Sequence, residues 1–319
     1  MRKIVCVYNL EPRHRERIAE AAAGFTIVFE GDQDEAAFAQ HLAEAEVVAG
    51  WSELAEAVAL REGGALRWVQ AWGAGVEQMP FDAFAARGVM LTNASGVHAN
   101  AISETVLGMM LAFTRKLHLT MRNQMERRWD WIGGLGEIHE KTLGIVGVGA
   151  IGEELARLAK AFHMRVVGVR NSAAPSPFVD EMLGAAGLDQ LLKESDYVVV
   201  TLPITKETQG LFDRAKFAQM KTSAFFVNIG RGQTVVTDDL VAALEQGVIA
   251  GAGLDVFDPE PLPGSHPLWT MENVILTPHN SGNSIYYTDR AVDILVDNLR
   301  SYIEKGEPER NMVSLKDRY

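Results

Sequence analysis

Short runs of β-branched and other apolar residues alternate with segments of helical periodicity from the beginning of the chain. In its first part, strands are predicted for KIVCVY, TIVFE, EVVAGW, RWVQAW and GVMLTN, and Ala/Glu-rich segments between them predict helices. This alternation is typical of a mostly parallel sheet that is covered by helices on both faces. We therefore expect an α/β fold.

A long helical stretch interrupts the alternation after Asn93. Its sequence is ANAISETVLGMMLAFTRKLHLTMRNQMERRW, and its first half is apolar on most faces, which is typical of a helix buried between layers or domains. A second alternation follows, with strands predicted for TLGIVGVG, MRVVGVR, DYVVVTL, AFFVNIG, IAGAGLDV and NVILTP. Six such strands complete a doubly wound sheet, so we expect two α/β domains joined by the helical stretch.

Composition narrows the classes of function. The 319 residues are enough for two domains, and a net charge of −12 argues against a nucleic-acid partner, because no basic stripe could release counterions from a phosphate backbone. Cys6 is the only cysteine, and His98 and His139 lack neighbours at metal-ligand spacing, so no metal site is expected. No apolar run is long enough for a signal peptide or a membrane span, so we expect a cytoplasmic protein without membrane contact.

The stretch GIVGVGAIG contains a G-x-G-x-x-G motif at Gly147, Gly149 and Gly152, between a predicted strand and a predicted helix. The first glycine permits a tight turn, the second lets the backbone approach a pyrophosphate, and the third lets the helix pack closely on the strand. The helix N-terminus, with Ala150 and Ile151, offers N–H groups to the phosphates. A glycine-rich turn without a ligand is the alternative, but the strand–loop–helix context favours a dinucleotide.

The residue that contacts the adenine ribose, and so selects between NAD and NADP, is expected at the end of the next strand. An acidic residue there selects NAD, but this chain has Arg170, followed by Asn171 and Ser172, with no Asp or Glu before Asp180. A cation and two donors suit a 2′-phosphate. We therefore expect NADP(H) to be preferred and NAD(H) to be possible. An ordinary exposed arginine at a strand end is the alternative.

Three further polar residues follow predicted strands of the second half: Arg231 in NIGRG, Glu260 in LDVFDPEP and His279 in TPH. Ligands of open α/β sheets bind beyond the carboxyl ends of the strands, so all three side chains can converge on one crevice. Trp51 and Trp72 end strands of the first half, where each either forms a wall of the substrate pocket or packs in the core.

The four ordered motifs GxGxxG, NIGRG, LDVF-x-x-EP and TPH resemble the D-isomer-specific 2-hydroxyacid dehydrogenase family over almost the whole chain. With Arg170, the resemblance is to an NADP-preferring branch like the glyoxylate/hydroxypyruvate reductases. It implies two doubly wound parallel-sheet domains, with a Rossmann dinucleotide-binding domain (97–287) inserted in a flavodoxin-like substrate domain (1–96 and 288–319). It also implies a catalytic set formed by Arg231, Glu260 and His279.

Further contacts are implied by the same resemblance. The loop GAGVE is expected to hold the substrate carboxylate through the backbone of Ala74, Gly75 and Val76. Asp255 is expected beside the nicotinamide carboxamide. The remaining expected coenzyme contacts, in addition to His279, are Leu202, Pro203, Thr205, Ile229 and Gly230.

Reduction of a 2-oxo acid needs a hydride at the carbonyl carbon and a proton on its oxygen. His279 as an imidazolium can donate the proton, Glu260 can stabilise the charged ring, and Arg231 can hold the carboxylate and polarise the ketone. Glyoxylate, hydroxypyruvate and larger 2-oxo acids are all possible substrates. A phosphoglycerate dehydrogenase-like enzyme is an alternative, although no cations cluster around GAGVE, and so is a nucleotide-sensing corepressor-like protein.

The apolar TVLGMMLAF and the arm-like TMRNQMERRWDW predict a homodimer through the helical stretch, with burial inside one domain as the alternative. The two domains are expected to close on the substrate by bending near Asn93–Ala99 and Gly282–Tyr287.

Overall fold

The computed structural model describes residues 2–316 and divides the chain into two compact units. Unit one contains the residues up to Val97 together with those from Ser284 onward, and unit two is His98–Asn283. Within residues 2–316, no helix has both the length and the apolar character that crossing a membrane requires.

Unit one contains a parallel sheet covered by helices. Its strands are β1 (Lys3–Cys6), β2 (Thr26–Phe29), β3 (Val47–Ala49), β4 (Trp68–Gln70) and β5 (Met90–Thr92). Its helices are α1 (Pro12–Ala21), α2 (Glu35–Ala43), α3 (Glu53–Ala59), α4 (Phe81–Arg87) and α11 (Tyr287–Lys305). The sheet order is β2-β1-β3-β4-β5, which is the flavodoxin-like order that was predicted.

Most residues of these strands are apolar and buried, without the polar alternation of a sheet that is exposed on one face. One polar network crosses the core: the Trp68 indole N–H donates to the Thr92 hydroxyl at 2.8 Å, and this hydroxyl donates to Oε1 of Gln70 at 2.8 Å. The Asn298 amide of α11 donates to the same oxygen at 2.9 Å. The terminal helix is therefore tied to β4 and β5 by satisfied buried groups.

Unit two contains the second parallel sheet. Its strands are β6 (Thr142–Val146), β7 (Arg165–Val169), β8 (Glu181–Leu183), β9 (Tyr197–Val200), β10 (Phe225–Asn228), β11 (Gly251–Leu254) and β12 (Val274–Leu276). Its helices are α5 (Ala99–Thr114), α6 (Leu117–Met125), α7 (Ala150–Lys160), α8 (Leu188–Glu194), α9 (Arg214–Phe217) and α10 (Thr237–Glu245). The order β8-β7-β6-β9-β10-β11-β12 is the Rossmann order with one added strand, which confirms the predicted doubly wound fold.

The prediction of six strands in the second half was wrong by one, because β8 was missed. Its three residues, Glu181–Leu183, lie at the edge of the sheet and are only partly buried. A short run that starts with a glutamate does not show the apolar pattern of the central strands.

The predicted long helix is two helices, separated at Arg115 and Lys116. Lys116 has a left-handed backbone (φ 53), and its ammonium donates to the carbonyl of Gly133 at 2.6 Å. The TVLGMMLAF segment lies in α5 and is largely buried inside unit two, where Met109 and Phe113 pack on β11. This part of the expected dimer surface is therefore buried within the unit, and the exposed apolar residues lie further along, in and after α6.

Candidate active site and coenzyme loop

Two of the motif glycines, Gly147 and Gly149, lie between β6 and α7, and Gly152 lies in the first turn of α7. Each has a different reason to lack a side chain. Gly147 has a left-handed φ of 101, and a Cβ there would lie 2.9 Å from the side chains of Thr201 and Leu202. A Cβ at Gly152 would lie 3.0 Å from the carbonyl oxygen of Gly147, so a side chain there would crowd the contact between helix and strand. A Cβ at Gly149 would meet no atom within 4 Å, so this backbone borders open space.

The open space beside Gly149 faces the first turn of α7. The N–H groups of Ala150, Ile151 and Gly152 belong to that turn, whose N–H groups have no carbonyl partner within a helix. They carry the positive end of the helix dipole. A helix N-terminus of this kind can hold an anionic group, and the contact of these residues with a pyrophosphate remains a prediction.

The loop after β7 is organised by Arg170. Its guanidinium donates through Nη1 to Val148 O at 3.4 Å and through Nη2 to the carbonyls of Ala174 and Pro175. Nη1 also lies 3.3 Å from Oε1 of Glu153, in the first turn of α7. The side chain is 22% exposed, so Arg170 stands beside the glycine turn and is not an ordinary exposed arginine.

Asn171 and Ser172 follow Arg170 on the surface of the same loop. The Ser172 hydroxyl accepts a 3.4 Å bond from the N–H of Ala174, which helps to close the turn. Their predicted contact with a 2′-phosphate remains a prediction.

The ends of β9 and β10 lie on the other side of the glycine turn. A Cβ at Gly230 would lie 2.5 Å from Leu202 O, so the residues after the two strands are in close contact. The N–H of Thr205 donates to Thr208 Oγ1 at 2.7 Å, and that hydroxyl donates to Pro203 O at 2.8 Å. Ile229 is buried under the loop. These residues are therefore held together by hydrogen bonds and close contacts beside the turn, and their coenzyme contacts stay predicted.

Arg231, Glu260 and His279 line one cleft of about 380 Å³ in unit two. Nδ1 of His279 lies 2.8 Å from Oε2 of Glu260, and Oε1 of Glu260 accepts a 2.7 Å bond from the N–H of Phe257. The His279 side chain is 53% exposed and the Glu260 side chain 35% exposed, so the pair is open to small molecules. The structure thus brings together the three residues that the sequence placed after separate strands.

The approach of Arg231 to this cleft depends on the turn after β10. A Cβ at Gly232 would lie 1.9 Å from Phe257 O, so only glycine permits the two loops to meet. The Asn228 amide donates to Arg231 O at 3.0 Å, and Arg231 Nη1 donates to Gly230 O at 2.9 Å. Sequence reasoning missed the supporting roles of Asn228 and Gly232, although both lie within or beside the NIGRG motif.

The loop that carries His279 is held by Asp255, which is 1% exposed. Its carboxylate accepts bonds from the Thr277 hydroxyl at 2.6 Å, from the N–H groups of Asn280 and Ser281 at 3.0 and 3.2 Å, and from the Ser281 hydroxyl. The N–H of His279 donates to Asp255 O at 2.8 Å, and His279 has a left-handed φ of 49. Asp255 therefore stabilises an uncommon backbone conformation at the histidine; its expected contact with the carboxamide stays a prediction.

In unit one, the GAGVE loop is held by its neighbours. The Asn93 amide donates to Ala74 O at 2.8 Å, and the N–H of Met79 donates to Val76 O at 2.9 Å. Val76 is buried and Gly75 is exposed. The loop is thus ordered with one exposed backbone segment, and its contact with a substrate carboxylate remains a prediction.

The two tryptophans at the strand ends of unit one lie in different environments. Trp72 is 9% exposed, its ring lies 5.1 Å from that of Tyr8, and its carbonyl accepts a bond from the Tyr287 hydroxyl. Trp51 packs edge-on against Phe84 at 5.2 Å. Both therefore have core contacts, and their role as pocket walls is untested.

Tyr8, which the sequence reasoning missed, is part of this aromatic group. Burial, with a smaller effect of Glu30, raises the pKa of Tyr8, and burial raises the pKa of Tyr287. Cys6 is buried, and burial raises the pKa of its thiol to about 12, which disfavours the thiolate form.

This chain is similar to known proteins in both sequence and structure. The family model described as D-isomer specific 2-hydroxyacid dehydrogenase, NAD binding domain, matches residues 107–281. Glyoxylate/hydroxypyruvate reductase B of Klebsiella pneumoniae (strain 342) is 37% identical over 282 residues, which cover 84% of this chain and 86% of the relative.

Two solved structures are similar along nearly the full length of the chain. A D-isomer specific 2-hydroxyacid dehydrogenase family protein from Aeromonas salmonicida has a TM-score of 0.81 and 31% identity, covering 98% of this chain and 99% of that one. An NADPH-dependent glyoxylate/hydroxypyruvate reductase from Sinorhizobium meliloti, in complex with NADP and sulfate, has a TM-score of 0.77 and 27% identity, with 100% of both chains covered.

Proposed function

Because the chain belongs to the D-isomer-specific 2-hydroxyacid dehydrogenase family and is an NAD(P)-dependent dehydrogenase, we propose that it reduces a small 2-oxo acid to a D-2-hydroxy acid, with NADPH preferred. The observation that carries the proposal is the 2.8 Å contact between His279 and Glu260 in the cleft that Arg231 also lines. Glyoxylate and hydroxypyruvate are the proposed substrates, since the curated relative from Klebsiella is a reductase of these two acids.

His279 is the proposed proton donor. Its Nδ1 is engaged by the Glu260 carboxylate, which leaves Nε2 for the substrate. In the imidazolium form both ring nitrogens carry hydrogen, so Nε2 donates to the carbonyl oxygen while Nδ1–H stays bonded to Glu260. Glu260 is itself held by the N–H of Phe257, which fixes the direction of the pair.

Arg231 is the proposed substrate anchor. A guanidinium offers a planar set of donors that matches a carboxylate and can also reach the neighbouring ketone oxygen. It then stabilises the negative charge that develops on this oxygen as the hydride arrives. The cleft also admits water, so displacement of that water by the substrate would strengthen these charged contacts.

The coenzyme, when bound, supplies the hydride. The chain's contribution is the open turn at Gly149, the N–H groups at the start of α7, and Arg170 at the position expected for the adenine ribose. Arg170 supports a preference for NADPH, because a cation pairs with a 2′-phosphate, and the Sinorhizobium reductase with this fold holds NADP.

A homodimer is proposed through an apolar surface on unit two, formed by Leu117, Met121, Met125, Trp129 and Trp131. The first three are spaced four residues apart on one side of α6, and the two tryptophans are 101% and 90% exposed.

A face of α6 next to these apolar residues is attached to its own unit, since His118 and Arg122 bond to the carbonyls of Glu272 and Met271. An amphipathic helix with its apolar side in water is typical of an interface, and a second copy of this chain is the proposed occupant.

The reaction is tested by following NADPH and NADH oxidation with glyoxylate, hydroxypyruvate, pyruvate and 3-phosphohydroxypyruvate. The proposal predicts the highest kcat/KM with NADPH and one of the first two acids, and chiral analysis should give the D product from hydroxypyruvate. Highest activity with the phosphorylated acid would favour the phosphoglycerate dehydrogenase alternative. Coenzyme binding without oxidation by any of the four acids would favour the nucleotide-sensing alternative.

A further inference from the structure

An acidic side chain stands beside Arg170 although the sequence after β7 contains none before Asp180. It comes from another element: Glu153 lies in the first turn of α7, one residue after Gly152, and its Oε1 is 3.3 Å from Arg170 Nη1. The Glu153 side chain is 47% exposed, so its carboxylate borders the same solvent as the glycine turn. The loop after β7 and the first turn of α7 thus place a cation and an anion side by side where the adenine ribose is expected.

Among the described residues, the other bonds of this guanidinium go to neutral carbonyls, those of Val148, Ala174 and Pro175. Glu153 is therefore its charged partner. A 2′-phosphate carries nearly two negative charges at neutral pH and must share the guanidinium with this carboxylate or displace it. Like charges held beside one cation repel each other, so Glu153 opposes a 2′-phosphate at Arg170.

For a ribose without the phosphate the effect is reversed. A carboxylate is the group that accepts hydrogen bonds from the ribose hydroxyls in NAD-dependent members of this fold class. Glu153 offers such an acceptor from α7 in place of the end of β7.

We infer that Glu153 is a coenzyme-specificity residue, which weakens binding of the 2′-phosphate at Arg170 and retains binding of NAD(H). This inference rests on the proposed function for its site and refines it: the wild-type preference for NADPH over NADH is small, within about tenfold, because the two side chains act in opposite directions.

The experiment measures binding, by calorimetry, of two probes that differ in the 2′-phosphate alone, 2′,5′-ADP and 5′-AMP. The variant is Glu153→Gln, which keeps the size of the side chain and removes its charge. The matched control is Glu154→Gln on the same helical turn, whose carboxylate bonds to Arg157 at 2.7 and 2.8 Å and not to Arg170. Thermal unfolding of both variants verifies that α7 is intact.

Glu153→Gln should bind 2′,5′-ADP about tenfold more tightly than the wild type and 5′-AMP several-fold more weakly, the scale of one hydrogen bond to a charged group. Glu154→Gln should change both constants by less than about twofold. The inference would be overturned if the two variants had equal effects, or if the dissociation constant for 2′,5′-ADP were unchanged in Glu153→Gln. It would also be overturned if the wild type bound neither probe.

Failure of the proposed reaction is separate from failure of this inference. A chain that does not reduce any 2-oxo acid would still show the change in the ratio of the two binding constants if Glu153 acts on the 2′-phosphate. Conversely, a 2-oxo acid reductase whose ratio is unchanged in Glu153→Gln would retain the proposed function and contradict the inference alone.

Discussion

The carboxylate of Asp255 accepts bonds from both the backbone N–H and the side-chain hydroxyl of Ser281, two residues beyond His279. A residue at the end of β11 therefore determines the shape of the loop after β12. The buried carboxylate of Asp255 closes the loop that carries His279. The position of His279 therefore depends on Asp255, although none of the described contacts joins Asp255 to the imidazole ring.

Asp255→Asn should lower kcat by about 10–10²-fold, because one acceptor oxygen becomes an NH₂ group that faces N–H donors and the His279 loop loses its shape. Ser281→Ala removes a single bond and should have a smaller effect in the same direction. Steady-state kinetics of both variants test this. An unchanged kcat with a raised KM for NADPH would indicate that Asp255 mainly binds the carboxamide.

Two glycine-to-alanine substitutions should separate folding from coenzyme binding. Gly232→Ala places a Cβ 1.9 Å from Phe257 O and should destabilise the protein by about 3 kcal/mol or more, since the backbone has to move. Gly149→Ala meets no neighbour within 4 Å and has an ordinary φ of −109, so its free energy of unfolding should stay within ~1 kcal/mol of wild type.

The Gly149→Ala variant should nevertheless bind NADPH at least about tenfold more weakly, because its methyl group occupies the space beside the helix N-terminus. Denaturant unfolding and calorimetric titration measure the two effects. Loss of stability in Gly149→Ala, or unchanged coenzyme affinity, would contradict the assignment of this open space to the pyrophosphate.

Glu260→Gln should change the pH dependence of reduction. The reaction needs the charged ring of His279, so activity falls as pH rises, and removal of the neighbouring negative charge makes that form less favourable. The high-pH limb of kcat/KM should therefore move to lower pH. Profiles of the wild type and Glu260→Gln from pH 5 to 10 provide the measurement, and superimposable limbs would show that the two residues are not coupled in catalysis.

Replacement of the apolar side of α6 should dissociate the proposed dimer. The double variant Met121→Asp/Met125→Asp places two charges at an interface that consists of apolar side chains, and sedimentation at micromolar concentration should give the 35.0 kDa monomer. Phe178→Asp, at another exposed apolar residue of unit two, is the control and should leave the dimer intact. A wild-type protein that sediments as a monomer would exclude this interface.

The sequence predicts the elements whose signal is local. The strand–glycine–helix turn at Gly147 to Gly152 and the apolar runs of the central strands follow from short-range patterns, and the order of motifs is specific enough to indicate the family. The convergence of Arg231, Glu260 and His279 on one cleft could be predicted because carboxyl ends of parallel strands share one edge of the sheet.

Features that depend on distant partners could not be predicted in this way. The role of Asp255 depends on Ser281, which is 26 residues away, and the acid beside Arg170 comes from α7 and not from the loop after β7. The helix break at Lys116 carries no glycine or proline signal of its own, and the side chain of Lys116 bonds to Gly133, which is 17 residues away. In each case the deciding interaction forms only in the folded chain.

The role of His279 as proton donor is tested most directly by comparing the wild type with His279→Ala in two measurements on the same preparations: NADPH oxidation by glyoxylate or hydroxypyruvate, and calorimetric binding of NADPH. The account predicts that turnover falls by about 10²–10⁴-fold, the usual contribution of a positioned acid, while the NADPH dissociation constant changes by less than about threefold. Turnover of His279→Ala equal to that of the wild type would contradict the account.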